Sequence, residues 1–209
     1  DVEGGGSLHG RFVLLPFGAR EGVPTGELTQ READVLRLIT DKPQPFRKIA
    51  TSMTAQRAIA SLKKKGLVQI SGFTPSDAAH VLGLQSNWSG PAARMAAQLG
   101  CRLREMKFPT PERTEEFARE VWSETVRLTG RAILDTAFGM SPSDDRLINA
   151  VCSGAGTVGL ASVSMTPTIP VVAVGGPVKV YYSEVGRRLG CNMVFPEYCD
   201  VANAVGAAT

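Results

Sequence analysis

The sequence predicts an α/β domain interrupted by a small helical module, and three stretches carry that prediction. Residues 169–174 (IPVVAV) form a short apolar run of mostly β-branched residues, the pattern of a strand buried on both faces. Gly175-Gly176-Pro177 turns the chain, and Val178, Tyr181, Tyr182, Val185 and Leu189 then recur at helical spacing up to Gly190. Residues 193–195 supply a second strand. The second stretch, Leu28–Ile70, reads as three helices and a strand, a unit of its own. The third, Glu112 to about Phe138, is one long amphipathic helix.

Taken in order, the chain opens on the glycine-rich DVEGGGSLHG, a turn or frayed end. Residues 11–17 (RFVLLPF) predict a strand, and Pro16 places it at an edge. In the helical module, Thr29-Gln-Arg-Glu32 is a capping box, and Val35, Leu36, Leu38 and Ile39 continue an apolar helical face. Pro43 and Pro45 break that helix. A short helix over 46–52 and a longer one over 54–65 follow; Gly66 caps the latter and residues 67–70 begin a strand. The arrangement resembles a winged helix, and LTQREADVLRLI is similar to the opening of a bacterial regulator's helix-turn-helix. Gln56, Arg57, Lys63, Lys64 and Lys65 are the side chains that reading would put against phosphates. The helix macrodipole also favours lysines at a C-terminus without any ligand.

Residues 71–83, SGFTPSDAAHVLG, place hydroxyls and a carboxylate around a rigid turn. Ser76 or Asp77 begins a helix, and His80 falls three residues after Asp77 on one face. Asp77 and His80 are therefore candidates for catalytic groups, with Thr74 and Ser76 beside substrate. The alternative makes the hydroxyls and Asp77 helix caps and His80 a satisfied histidine. Residues 91–99 predict an alanine-rich helix ended by Gly100, and Phe117, Val121, Leu128 and Leu134 mark the buried face of the long helix. Residues 139–145 read as a polar loop. Gly154-Ala-Gly-Thr-Val-Gly159 fits the dinucleotide fingerprint by letter, with a strand expected over 148–152. The helix after it is short and interrupted by Pro167 and Pro170, and no acidic residue follows at the ribose position. A glycine-rich turn facing a nucleotide cleft, with Gly154 and Gly156 as cofactor contacts, is the expectation; a dinucleotide-dependent oxidoreductase stays as an alternative.

The chain of 209 residues, 43% hydrophobic and 21% charged, suits a globular protein with a real core. A net charge of +3 is too slight to imply nucleic-acid or membrane partners. Cys101, Cys152, Cys191 and Cys199 show neither metal spacing nor a disulfide framework, so no metal site and a cytoplasmic setting are expected. No apolar run approaches the roughly 18 residues of a membrane span. The chain begins at Asp1 without Met, which suggests a piece of something longer.

Two blocks resemble one family. The segment IPVVAVGGPVKVYYSEVGRRLGCNMVFPEYCDVANAVGAAT is similar to the end of the hydantoinase A/oxoprolinase family, and Ser71–Gly83 is similar to that family's Thr-Pro-Thr-Asp-Ala block. The resemblance implies an actin-like ATPase (ribonuclease H-like) α/β domain over 1–27 and 71–209, with 28–70 as the helical, winged-helix-like insertion. It implies Gly175, Gly176 and Pro177 as nucleotide contacts, and Ala204, Gly206 and Ala207 in a hinge helix packed against a neighbour. It also implies ATP and Mg2+ as cofactors and a cyclic amide such as a hydantoin or 5-oxoproline as substrate. Asp1–Ser7 lacks the threonines and second aspartate of the superfamily's phosphate loop. The expectation is therefore the adenosine side of an ATP site, inactive alone and completed by a partner subunit or further segments. A winged-helix DNA-binding regulator is the other alternative.

Overall fold

A computed structural model of the chain describes residues 12–15, 28–40, 42, 44–105, 108–139 and 145–208. The turn expected at residues 1–10 and most of the polar loop expected over 139–145 lie outside the described residues. The elements run β1 (Phe12–Leu14), α1 (Gln30–Leu38), β2 (Gln44–Pro45), α2 (Phe46–Ile49), α3 (Met53–Lys64), β3 (Gln69–Ser71), α4 (Pro75–Val81) and α5 (Gly90–Glu105). They continue with α6 (Pro111–Phe138), α7 (Asp145–Ser153), β4 (Thr157–Val158), β5 (Ala161–Ser162), β6 (Val171–Val172), α8 (Val178–Leu189), β7 (Met193–Val194) and α9 (Ala202–Ala208). The fold is mixed α and β, dominated by helices. No helix among the described residues is long and apolar enough to cross a membrane. Internal contacts divide the chain into a first unit, Asp1–Thr74 with Ala92–Thr114, and a second, Pro75–Pro91 with Glu115–Thr209.

The first unit is built on a three-stranded antiparallel sheet ordered β2–β1–β3. Val13 faces Gln44 on one side and Ile70 on the other. It is fully buried in a core with Val35, Ile39, Phe46, Ile49, Ile59, Leu62 and Val68. This corrects two expectations. β1 is the central strand rather than an edge, because pairing stops at Leu14, short of Pro16. It also belongs with the helical module, so 28–70 is not a self-contained insertion; its core is closed by Val13, from the N-terminal side.

Local chemistry sets the helix ends. In α1 the Thr29 N–H donates to Glu32 Oε2 at 2.7 Å and the Glu32 N–H donates to Thr29 Oγ1 at 3.3 Å, the capping box expected. Leu38, expected on the apolar face, is 57% exposed. Ser52 caps α3 through the Ala55 N–H at 3.1 Å. Gly66, at φ +73°, ends that helix while the Leu67 N–H reaches back to the Leu62 carbonyl at 2.9 Å. Between these helices Glu32 accepts from Ser61 Oγ at 2.6 Å and from Lys65 Nζ at 3.0 Å. The Ser61 bond above all, then the Lys65 ammonium and the Thr29 amide, hold its carboxyl at about 2. α5 runs through Gly100 rather than stopping there, because buried Ala93, Ala97 and Cys101 recur every fourth residue. That packing outweighs a mid-helix glycine penalty of roughly 1 kcal/mol.

In the second unit, α6 buries Ala118, Val126 and Leu134 at eight-residue intervals. Leu128, expected inside, is 47% exposed, since two residues from Val126 is about 200° around a helix. Ile148, Val151 and Cys152 of α7 and Tyr181, Val185 and Leu189 of α8 complete the core. Arg188, its side chain only 7% exposed, ties three helices together. Its guanidinium donates to Glu184 Oε1 at 2.9 Å, the Cys152 carbonyl at 3.0 Å and Ser123 Oγ at 3.1 Å. α8 ends at Gly190, at φ +60°, as expected. β6 and β7 pair in parallel around it, Val171 with Met193 and Val172 with Val194. The expected strand over 169–174 is shorter and less buried: Ile169, Val172 and Val174 are 69%, 57% and 48% exposed.

Candidate functional site

The carboxyl ends of β6 and β7 meet at one surface. Gly175, at φ +121°, donates its N–H to the Cys199 carbonyl at 2.6 Å, which clamps the Gly-Gly turn to the loop after β7. Ala173, Val178 and Cys199 form a small core beneath it, with Phe195 and Tyr182 packed alongside. Pro177 is the N-cap of α8 rather than its first helical residue, and no side chain caps that end. Gly176 differs from its neighbours. Its φ is not left-handed, and a Cβ placed on it meets nothing within 4 Å among the described residues. Gly186, by contrast, sits where a Cβ would come within 2.6 Å of Met193 Cγ and 3.2 Å of the Cys191 carbonyl. Packing demands glycine at 186, but neither packing nor backbone conformation demands it at 176. Tyr198, one residue before the clamping carbonyl, is 69% exposed and held at φ +61°. A bulky side chain in that region carries strain of order 1 kcal/mol or more.

The other candidate residues are distributed differently. Thr74 falls in the first unit, whereas Ser76, Asp77 and His80 lie on α4 in the second. His80 is buried, and both ring nitrogens are engaged with backbone. Nδ1 lies 2.7 Å from the Ser76 carbonyl, which requires the proton there, and Nε2 accepts the Trp88 N–H at 3.0 Å. The Trp88 ring stacks on the imidazole, centroids 5.4 Å apart and planes within 10°. With both nitrogens committed, the imidazole latches the loop after α4; neither nitrogen is left to move a proton or hold a metal-bound water. Among the described residues no group of three or more His, Cys, Asp or Glu side chains gathers as metal ligands.

Gly154 and Gly156 do not cradle a phosphate. The strand expected over 148–152 is helix α7, and the glycines follow its C-terminus. The Gly154 N–H donates to the Val151 carbonyl and the Gly156 N–H to the Ala150 carbonyl, both at 3.0 Å, so the loop's donors close the helix. Gly159, at φ +59°, opens the two-residue turn of the β4–β5 hairpin. A dinucleotide fold needs a strand before these glycines and a helix N-terminus after them. Here the order is helix, then antiparallel hairpin. The sequence pattern alone cannot separate the two, because glycine serves both ends of a helix.

The helix over residues 201–208 is present as α9, but Ala204, Val205, Gly206 and Ala207 are exposed rather than packed among the described residues. Two features escaped the sequence reading. Tyr198 carries no pattern that announces its backbone conformation. An apolar hollow of about 470 Å³ is lined by Ala132 and Ile133 of α6 with Pro167, Ile169 and Tyr182. The hydroxyls of Thr129 and Thr136 on its wall donate to the carbonyls of Thr125 and Ala132 within α6, at 2.8 Å each. No protein-family model, curated protein sequence or solved structure matches this chain.

Proposed function

We propose that the second unit is the nucleotide-binding part of an ATP-dependent cyclic-amide hydrolase of the hydantoinase/oxoprolinase type. The observation that carries this reading is Gly176. It follows the carboxyl end of a parallel strand, where open α/β sheets receive ligands, and, as at Gly90 and Gly206, neither its φ nor a contact among the described residues requires a missing Cβ; its place beside the strand ends sets it apart from those two. A ligand approaching the backbone supplies that reason. Gly175 and its bond to Cys199 fix the turn, and Pro177 directs the chain into α8. The adenosine would lie on this surface, with its phosphates and Mg2+ held elsewhere. When bound, ATP would supply the phosphoryl group that, transferred to an amide oxygen with release of ADP, activates the attached carbon toward attack by water. In this reading Gly175, Gly176 and Pro177 only bind and orient, while Asp77 remains a proposed catalytic group and Thr74 and Ser76 remain proposed substrate contacts.

Calorimetric titration with magnesium-ATP, beside NAD as control, tests the assignment. A Cβ at 176 meets no atom of the described residues within 4 Å, so Gly176→Val should leave the melting temperature unchanged. It should weaken ATP binding at least tenfold, or about 1.4 kcal/mol. ATP affinity unaffected by the substitution, or NAD binding in preference to ATP, overturns the reading.

A further inference from the structure

We propose that the first unit carries a duplex-DNA-binding face on α2 and α3, independent of the nucleotide site. The whole-chain charge of +3 conceals a division. Sixteen of the basic residues and nine of the acidic ones fall in the first unit, a balance of +7; seven and eleven fall in the second, a balance of −4. Asymmetry of this size between parts of one chain is a mark of polyanion binding.

The geometry gives the basic charge a place to act. α2 and α3 are joined by residues 50–52, the short turn of a helix-turn-helix. The three-stranded sheet brackets them, with β2 entering α2 and β3 leaving α3. Ala58, Ile59 and Leu62 bury one side of α3, which leaves Thr54, Arg57 and Lys64 exposed along the other. Lys48 on α2 and Lys63 are exposed as well. Twelve residues make a helix of about 18 Å, long enough to lie in a major groove about 12 Å wide. Thr54 and Arg57 occupy the N-terminal half, the half that meets base edges in this arrangement, while Lys48, Lys63 and Lys64 are placed for phosphates. Lys65 is excluded, since its ammonium is committed to Glu32 at 2.9 Å. The macrodipole accounts for lysines at the ends of α2 and α3 but not for Arg57, which sits mid-helix in α3. The one aromatic side chain on these two helices, Phe46, is buried, so the face offers nothing on which single-stranded bases could stack.

The experiment is fluorescence anisotropy of the whole chain with a labelled duplex of about 24 base pairs and mixed sequence, over a salt series. Binding in the micromolar range at about 50 mM salt is expected. Three phosphate contacts set a slope of log K against log salt of about −3. Arg57→Glu with Lys64→Glu should weaken binding at least tenfold with the circular dichroism unchanged, whereas Lys179→Glu in the second unit should not. No binding at low salt, or binding indifferent to the double substitution, overturns the proposal. So does single-stranded DNA or duplex RNA bound more tightly than duplex DNA. Equal affinity for poly-glutamate also overturns it and points to an acidic protein instead.

Discussion

Replacing His80 by alanine removes two backbone hydrogen bonds and a stacked ring pair together. Each hydrogen bond contributes about 1 kcal/mol net, and the ring pair roughly another 0.5–1 kcal/mol. Exposed Trp88 regains water on its N–H, so the orphaned donor adds little. The imidazole is itself only 6% exposed, and its loss leaves a small void. The sum is about 3 kcal/mol, or roughly 10 °C in a unit of this size. Both tryptophans, Trp88 and Trp122, belong to the second unit, so tryptophan fluorescence follows the unfolding of that unit selectively. His80→Phe keeps a ring against Trp88 and should recover only about a third of the loss. A fluorescence-detected melt of His80→Ala within about 2 °C of the parent, well under 1 kcal/mol in a unit of this size, would refute the latch and make His80 a candidate acid–base group again.

Two further outcomes follow from the same reasoning. Glu32 and Glu184 both titrate at about 2 against an ordinary 4.5, the first held down chiefly by Ser61 and Lys65, the second by Arg187 and then Arg188. A depressed folded value means stability that is complete above about 4.5 and lost as pH falls toward 2. Glu184→Gln should therefore flatten the acid limb of the tryptophan-detected melt, while Glu32→Gln leaves that limb alone and flattens the part seen only by circular dichroism; the reverse pattern would disprove the assignment. Tyr198→Gly should raise stability by up to about 1 kcal/mol by relieving its left-handed backbone, and a drop of that size in the fluorescence melt would show the ring to be structural.

Local order was legible in the sequence wherever one chemical signal dominates. The Thr29–Glu32 box, the Gly66 and Gly190 stops and the limits of α6 all appear within a residue or so of expectation, because caps act on their own turn. What failed needed partners distant in sequence. β1 looks like an edge strand until β2 and β3 are seen on both sides of it. Gly100 stops a helix in isolation but not one whose Ala93, Ala97 and Cys101 are buried. For the candidate site, the Gly-Gly turn, its strands and α8 were readable from periodicity. The distinction between Gly176 and Gly186 was not, since it depends on what lies within 4 Å of an absent Cβ. The basic face was hidden by averaging charge over units that the sequence does not delimit.

The placement of β1 at the centre of the first sheet has a consequence for how that unit assembles. Val13 must find Ile70 across 57 intervening bonds of the chain, whereas α1 and α3 are near neighbours in sequence. Closing a loop of that length costs roughly 3–4 kcal/mol of chain entropy, so the helices can associate early and the sheet must close late. Excision at residue 28 would strand β2 and β3 without the ladder between them. A permuted gene that places residues 12–15 after Ser71 through a tight turn would shorten the closure to a hairpin and make the module an autonomous, faster-folding domain.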